Sequence, residues 1–133
     1  MRVIVVGCGY VGLVSGACFA ELGNEVVCVD ANPARIAELE AGHCPIYEPG
    51  LEELIARNRQ AGRLSFARCL PFLGPDVDLV MIAVGTPPAR GGGADLSAVH
   101  AVAEEIALKA HARIVVATKS TVPPGTCDAI ARI

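Results

Sequence analysis

Gly7-Cys8-Gly9-Tyr10-Val11-Gly12 places three glycines at the spacing G-x-G-x-x-G. The chemistry open to such a stretch is the holding of a diphosphate by main-chain amides, provided that a strand leads in and a helix leads out. Val3-Ile4-Val5-Val6 reads as that strand, and Leu13 to Leu22 as that helix. Gly7 permits a tight turn, Gly9 lets a pyrophosphate approach the backbone, and Gly12 lets the helix pack close to the strand. The helix N-terminus offers free N–H groups and a partial positive charge. An acidic residue belongs about 20 residues further on, at the end of the next strand. Asp30, closing Glu25-Val26-Val27-Cys28-Val29, meets that requirement. Together these features predict a dinucleotide site rather than a glycine-rich helix–strand contact.

Asp30 is expected to accept hydrogen bonds from ribose hydroxyls. A carboxylate there repels a 2′-phosphate, which favours NAD over NADP. Arg35 complicates this reading, because an arginine in that place holds such a phosphate, pairs with ribose or pyrophosphate oxygens, or lies on a solvated helix face. Gly85-Thr86-Pro87 follows an apolar run, so Thr86 is placed to give a hydroxyl and a backbone N–H to the cofactor, or to form a turn. Ser120-Thr121 follows another apolar run, and Thr121 before Val122-Pro123 is equally a candidate helix cap. Lys119 is read as a fixed charge rather than a base. Glu48 either meets a ligand or caps the helix after it. His43, His100 and His111 lie apart, without metal-ligand spacing. No nucleophile–base pair emerges: the chain carries a cofactor cradle without a complete reaction centre.

These residues need a scaffold that brings them to one edge. Strands are expected at Arg2–Val6, Glu25–Asp30, Leu64–Ala67, Asp78–Val84 and Ala112–Thr118. Helices are expected from Tyr10 to Leu22, from Pro33 to about Ala41, from Leu51 to about Gln60, from Leu96 to about Lys109 with Asp95 as cap, and from Pro123 onwards. Alternation of strand and helix implies right-handed crossovers and a parallel sheet. The fold class is α/β, a doubly wound, Rossmann-like sheet in one domain. Its strand order 3-2-1-4-5 is taken by analogy with that fold, whose ligand crevice lies beyond the carboxyl ends of the strands.

A chain of 133 residues has the size of one domain. Hydrophobic residues make up 53% with no Trp, as suits a sheet covered on both faces by Val, Ala, Ile and Leu. The net charge of −3, without a basic block, argues against a nucleic-acid surface. Residues 3 to 20 carry no charge, but their glycine punctuation fits neither a membrane span nor a signal peptide. The six cysteines show no C-x-x-C spacing, which excludes the usual zinc patterns. A cytoplasmic location with reduced thiols is expected, and Cys8, Cys18 and Cys28 read as small buried hydrophobes.

Several stretches together resemble the nucleotide-sugar dehydrogenases. They are the glycine motif continued by Leu13, Pro45-Ile46-Tyr47-Glu48-Pro49-Gly50-Leu51, Val84-Gly85-Thr86-Pro87-Pro88, Ala94-Asp95-Leu96-Ser97, and Lys119-Ser120-Thr121-Val122-Pro123-Pro124-Gly125-Thr126. The resemblance covers essentially the whole chain. Its second and last motifs are more specific than the glycine fingerprint, and Ala94-Asp95-Leu96-Ser97 leans towards the UDP-glucose branch over the GDP-mannose branch. It implies two successive NAD-dependent oxidations that take a sugar C6 alcohol to a carboxylate, the aldehyde stage being held on a cysteine. Gly7, Gly9, Tyr10, Val11 and Gly12 then bind the pyrophosphate, with Val11 as a backbone contact. Asp30 and Arg35 take ribose-side positions. Gly85, Thr86, Pro87, Ser120 and Thr121 lie near the cofactor, and Thr121 orients a catalytic water.

The family's cysteine motif, its Asn-Pro-Glu-Phe motif and its catalytic lysine match nothing in these residues. The expectation is therefore an N-terminal NAD-binding domain over residues 1–133, without the central and C-terminal UDP-sugar domains, and inactive alone. NAD(H) is the expected partner. A UDP-sugar is expected only with the further domains, and homo-oligomers only at full length. No nucleic acid or membrane is expected. Two other readings share the glycine turn and the acid: a dinucleotide-sensing domain of a potassium channel, and the cofactor domain of a hydroxy-acid dehydrogenase. Both are disfavoured by Tyr47-Glu48-Pro49-Gly50 and Lys119-Ser120-Thr121-Val122-Pro123.

Overall fold

A computed structural model describes residues 1–133. In chain order the elements are β1 (Arg2–Val6), α1 (Tyr10–Glu21), β2 (Glu25–Val29), α2 (Pro33–Glu40), α3 (Leu51–Gln60), β3 (Leu64–Ala67), β4 (Leu79–Ile82), α4 (Ser97–Lys109), β5 (Val115–Thr118) and α5 (Thr126–Ile130). The five strands form one parallel sheet in the expected order, β3-β2-β1-β4-β5. At its centre, Val5 of β1 stands opposite Cys28 of β2 and Met81 of β4.

Strand alternation divides the core in two. Val3 and Val5 point into one layer with Val26, Cys28 and Met81; Ile4 and Val6 point into the other with Val29, Val80 and Ile82. Val3, Ile4 and Val5 are fully buried, so each contributes about 1.5–3 kcal/mol of burial. The first layer is covered by α1, α2 and α3, through Leu13, Ile36 and Ile55 among others. The second is covered by α4 through Val99 and Ile106, and by the segment after β3 through Leu70 and Leu73.

Helix α1 can pack close to the sheet because its buried stripe is made largely of small residues: Gly12, Gly16, Ala17 and Ala20, with Leu13. A Cβ on Gly16 would come within 2.4 Å of Cys28 Sγ. Cys18 falls between the rows of that stripe and is exposed. The expectation that it is buried fails, because helical periodicity turns it to solvent, while Cys8 and Cys28 are buried as expected. The far end of α1 is tied to α3 by the buried Asn58, which donates to Glu21 at 2.7 Å and accepts from Arg63 at 2.8 Å. That tie fixes the helix whose other end is the glycine turn.

Some boundaries differ from expectation for local reasons. Residues 112–114 are not strand, because the neighbouring β4 begins only at Leu79, which pairs with Val115. Strand β4 also stops at Ile82 rather than Val84, although the Ala83 N–H still donates to Val6 C=O at 2.8 Å. The last helix starts at Thr126, not Pro123. Pro124 keeps the residue before it out of the helical region, and Gly125, at φ +87°, makes the turn into the helix. Helix α4 starts at Ser97, one residue later than expected, and Asp95 still takes the Ser97 N–H at 2.9 Å. No helix is long and apolar enough to cross a membrane.

Candidate functional site

The turn between β1 and α1 is built from glycines that serve different ends. Gly7 sits at φ +105°, in the left-handed region, and a Cβ there would lie 2.5 Å from Ala83 O. A Cβ on Gly12 would lie 1.7 Å from Gly7 O, so no other residue fits without moving the backbone. Gly9 is the opposite case: a Cβ on it would meet nothing within 4 Å. Its missing side chain leaves open the space in front of the helix. Gly9 has extended backbone, and no side chain caps α1. The N–H groups of Gly9, Tyr10, Val11 and Gly12 donate to no protein acceptor, whereas Gly7 N–H donates to Val29 C=O at 2.7 Å. These free amides and the open space fit a diphosphate at the helix N-terminus.

Asp30 faces this turn from the end of β2. Its Oδ2 accepts from Cys8 N–H at 2.8 Å and from Arg35 Nη1 at 3.0 Å; its Oδ1 accepts from Asn32 N–H at 2.8 Å. Burial pushes its pKa up, but the amides of Asn32 and Cys8 and the Arg35 guanidinium outweigh that and hold the carboxyl below its usual range. Three donors on a carboxylate leave acceptor capacity for one or more hydroxyls. Arg35 therefore pairs with the acid itself. Asn32 caps α2, accepting from Ala34 N–H at 3.0 Å.

The turn opens onto a cleft with two chambers that meet at Gly9. The larger, about 570 Å³, is lined among others by Asp30, Arg35, Arg68 and Cys69 and by Ala98, Ala101 and Val102 of α4. The smaller, about 260 Å³, is walled by Tyr10, Val11, Gly85, Thr86, Lys119, Ser120 and Thr121, among others. Here the Thr86 hydroxyl donates to Thr121 C=O at 3.0 Å, and Ser120 Oγ donates to Val84 C=O at 2.6 Å. These side chains join the loops after β4 and β5. Thr121 is not a helix cap, since α5 begins beyond it.

Of the residues expected at the site, Gly7, Gly9, Asp30, Arg35 and Gly85 line the larger chamber. Tyr10, Val11, Thr86, Ser120 and Thr121 line the smaller. Gly12 acts from behind, through packing. Pro87 lies in neither wall; its carbonyl accepts from Asp95 N–H at 2.8 Å. Glu48 meets Tyr10, whose hydroxyl donates to its Oε2. That hydrogen bond, before any effect of burial or of the Glu48 charge, raises the Tyr10 pKa. Glu48 does not cap α3 by its side chain, because Gly50 in the left-handed region occupies that place. Sequence reasoning missed Arg68, Cys69 and the α4 face. The signal available for the first two was their position directly after β3, at the same sheet edge as Asp30.

The whole chain, residues 1–133, matches the family described as UDP-glucose/GDP-mannose dehydrogenase family, NAD binding domain. It is 52% identical, over its full length, to 31% of the UDP-glucose 6-dehydrogenase of Rhizobium meliloti (strain 1021). Among solved structures, a UDP-glucose dehydrogenase from the hyperthermophilic archaeon Pyrobaculum islandicum is similar at TM-score 0.87 and 45% identity, over 98% of this chain and 32% of that one. The GDP-mannose dehydrogenase of Pseudomonas aeruginosa, solved as a ternary complex, is similar at TM-score 0.86 and 37% identity, over 98% of this chain and 30% of that one. The chain thus spans about 31% of the length of the curated relative named here.

Proposed function

The chain belongs to the UDP-glucose/GDP-mannose dehydrogenase family, as its NAD-binding domain, and we propose that it is the cofactor-holding part of a UDP-glucose 6-dehydrogenase. The observation that carries this reading is the pairing of free amides at Gly9–Gly12 with a carboxylate, Asp30, turned towards the same opening. The amides and the helix N-terminus hold the diphosphate. Asp30 takes the hydroxyls of the adjoining ribose and disfavours a 2′-phosphate, with Arg35 keeping it ionised. Gly85, Thr86, Ser120 and Thr121 border the other half of the cofactor, and Pro87 shapes the loop that carries Thr86. NAD supplies the acceptor for hydride from the sugar C6.

Thr121 is engaged with Thr86 through its carbonyl, which leaves its hydroxyl to orient a water. The smaller chamber has no cysteine in its wall, and Cys69 lines only the larger one. The 133 residues therefore bind the dinucleotide but do not oxidise a sugar by themselves. The nucleophile and the UDP-sugar contacts belong to further domains, in an oligomer in the cytoplasm, where the product, UDP-glucuronate, feeds polysaccharide synthesis.

Calorimetric titration with NADH and, separately, with UDP-glucose tests this. NADH is expected to bind and UDP-glucose to give little heat. Binding of UDP-glucose without any binding of NADH overturns the assignment.

A further inference from the structure

We infer that Arg68 is a specificity-determining residue of the cleft: its guanidinium takes the flat face of the adenine base at the end of the larger chamber. The inference rests on the dinucleotide reading above. Arg68 directly follows β3, and Ala67 C=O at that strand end accepts from Asp30 N–H at 3.1 Å. This places residue 68 beside the carboxylate that grips the ribose. The chain is pinned again just beyond it. Leu70 is buried, and its carbonyl accepts from Lys109 Nζ of α4 at 2.6 Å. Arg68 is thus held between a strand end and an anchor, with its side chain exposed in the chamber wall.

Its charge is uncommitted. The ion pairs of the chain engage Arg2, Arg35, Arg57 and Lys109. Of the carboxylates in the chamber wall, Asp30 is held by Arg35 and Glu105 by Lys109, at 2.8 Å. Ala98, Ala101 and Val102, which line the same chamber, are apolar and, the alanines especially, small. They leave room for a flat ring but offer no side-chain donors or acceptors to its edge. A planar cation in a chamber with such walls favours an aromatic ring through stacking and cation–π attraction, which a compact ammonium reproduces poorly. A 2′-phosphate is the weaker fit for Arg68, because it would lie against Asp30.

The test compares the unsubstituted chain with Arg68→Ala and Arg68→Lys, after thermal unfolding has shown the three equally stable. NADH and NADPH are titrated by calorimetry, and saturation-transfer NMR follows the adenine H2 and H8 protons against the nicotinamide protons of bound NADH. Arg68→Ala is expected to weaken NADH about fivefold to thirtyfold and to lower transfer at the adenine protons relative to the nicotinamide. Arg68→Lys is expected to stay near the alanine variant. Unchanged NADH affinity in Arg68→Ala, full recovery in Arg68→Lys, or a loss confined to NADPH overturns the inference, the last by making Arg68 a phosphate contact. If the unsubstituted chain binds no NADH, the cofactor reading itself fails and takes this inference with it. If it binds NADH and Arg68→Ala binds as well, only this inference fails.

Discussion

The two chambers of the cleft are built differently. In the larger, polar groups are aimed at what enters: Asp30 is oriented by two amides and an arginine, and Arg68 is left free. In the smaller, the hydroxyls of Thr86 and Ser120 are turned to the carbonyls of neighbouring loops. One half is organised to recognise, the other to hold its own loops together. The difference teaches where polar groups stand ready for a ligand and where they are taken up by contacts between loops.

The sharpest way to break this comparison is at two glycines of the turn, one behind the chambers and one where they meet. Gly12→Ala is expected to cost about 3 kcal/mol or more of stability, because its Cβ collides with backbone. Gly9→Ala, whose Cβ meets open space, is expected to keep stability within about 0.5 kcal/mol. Its NADH affinity should nonetheless fall about thirtyfold, the worth of one charge-assisted hydrogen bond. Denaturant unfolding beside calorimetric titration separates the two. Equal behaviour of both variants in both measurements would remove the distinction between packing and access.

The next effect belongs to the larger chamber alone. Asp30→Asn is expected to weaken NADH about tenfold and to shift preference towards NADPH, measured by parallel titrations. The folded-state pKa of Asp30 lies below the ordinary value. Its stabilising contribution is therefore complete above about pH 4 and disappears as pH falls through the lower, folded value. Denaturation midpoints followed through this acid range should show that loss in the parent chain and a smaller one in Asp30→Asn.

The smallest effect is expected in the smaller chamber. Ser120→Ala removes the bond to Val84 C=O and should cost about 1 kcal/mol of stability, seen as a lower denaturation midpoint. It should change NADH affinity less than Asp30→Asn does. A larger loss of affinity than of stability would mean that Ser120 serves the cofactor directly, and the contrast between the halves would narrow.

While the sheet order came by analogy with the doubly wound fold, the sequence by itself was enough for the alternation of strands and helices, the glycine turn and the acid opposite it. Those features rest on short-range rules: strand–turn–helix spacing, one residue at a strand end, and the handedness of crossovers. It was enough, too, to place Thr86 and Thr121 at one edge, since each follows a strand. Only the tertiary structure decided how those groups are used. Arg35 turned to Asp30, Thr86 to Thr121 and Glu48 to Tyr10, and each choice depends on which partner the fold brings near. Gly16 against Cys28, and Arg68 in one chamber wall with residues of α4, were equally hidden. Their contacts join segments far apart in the chain, and residue spacing carries no record of a distance that only packing sets.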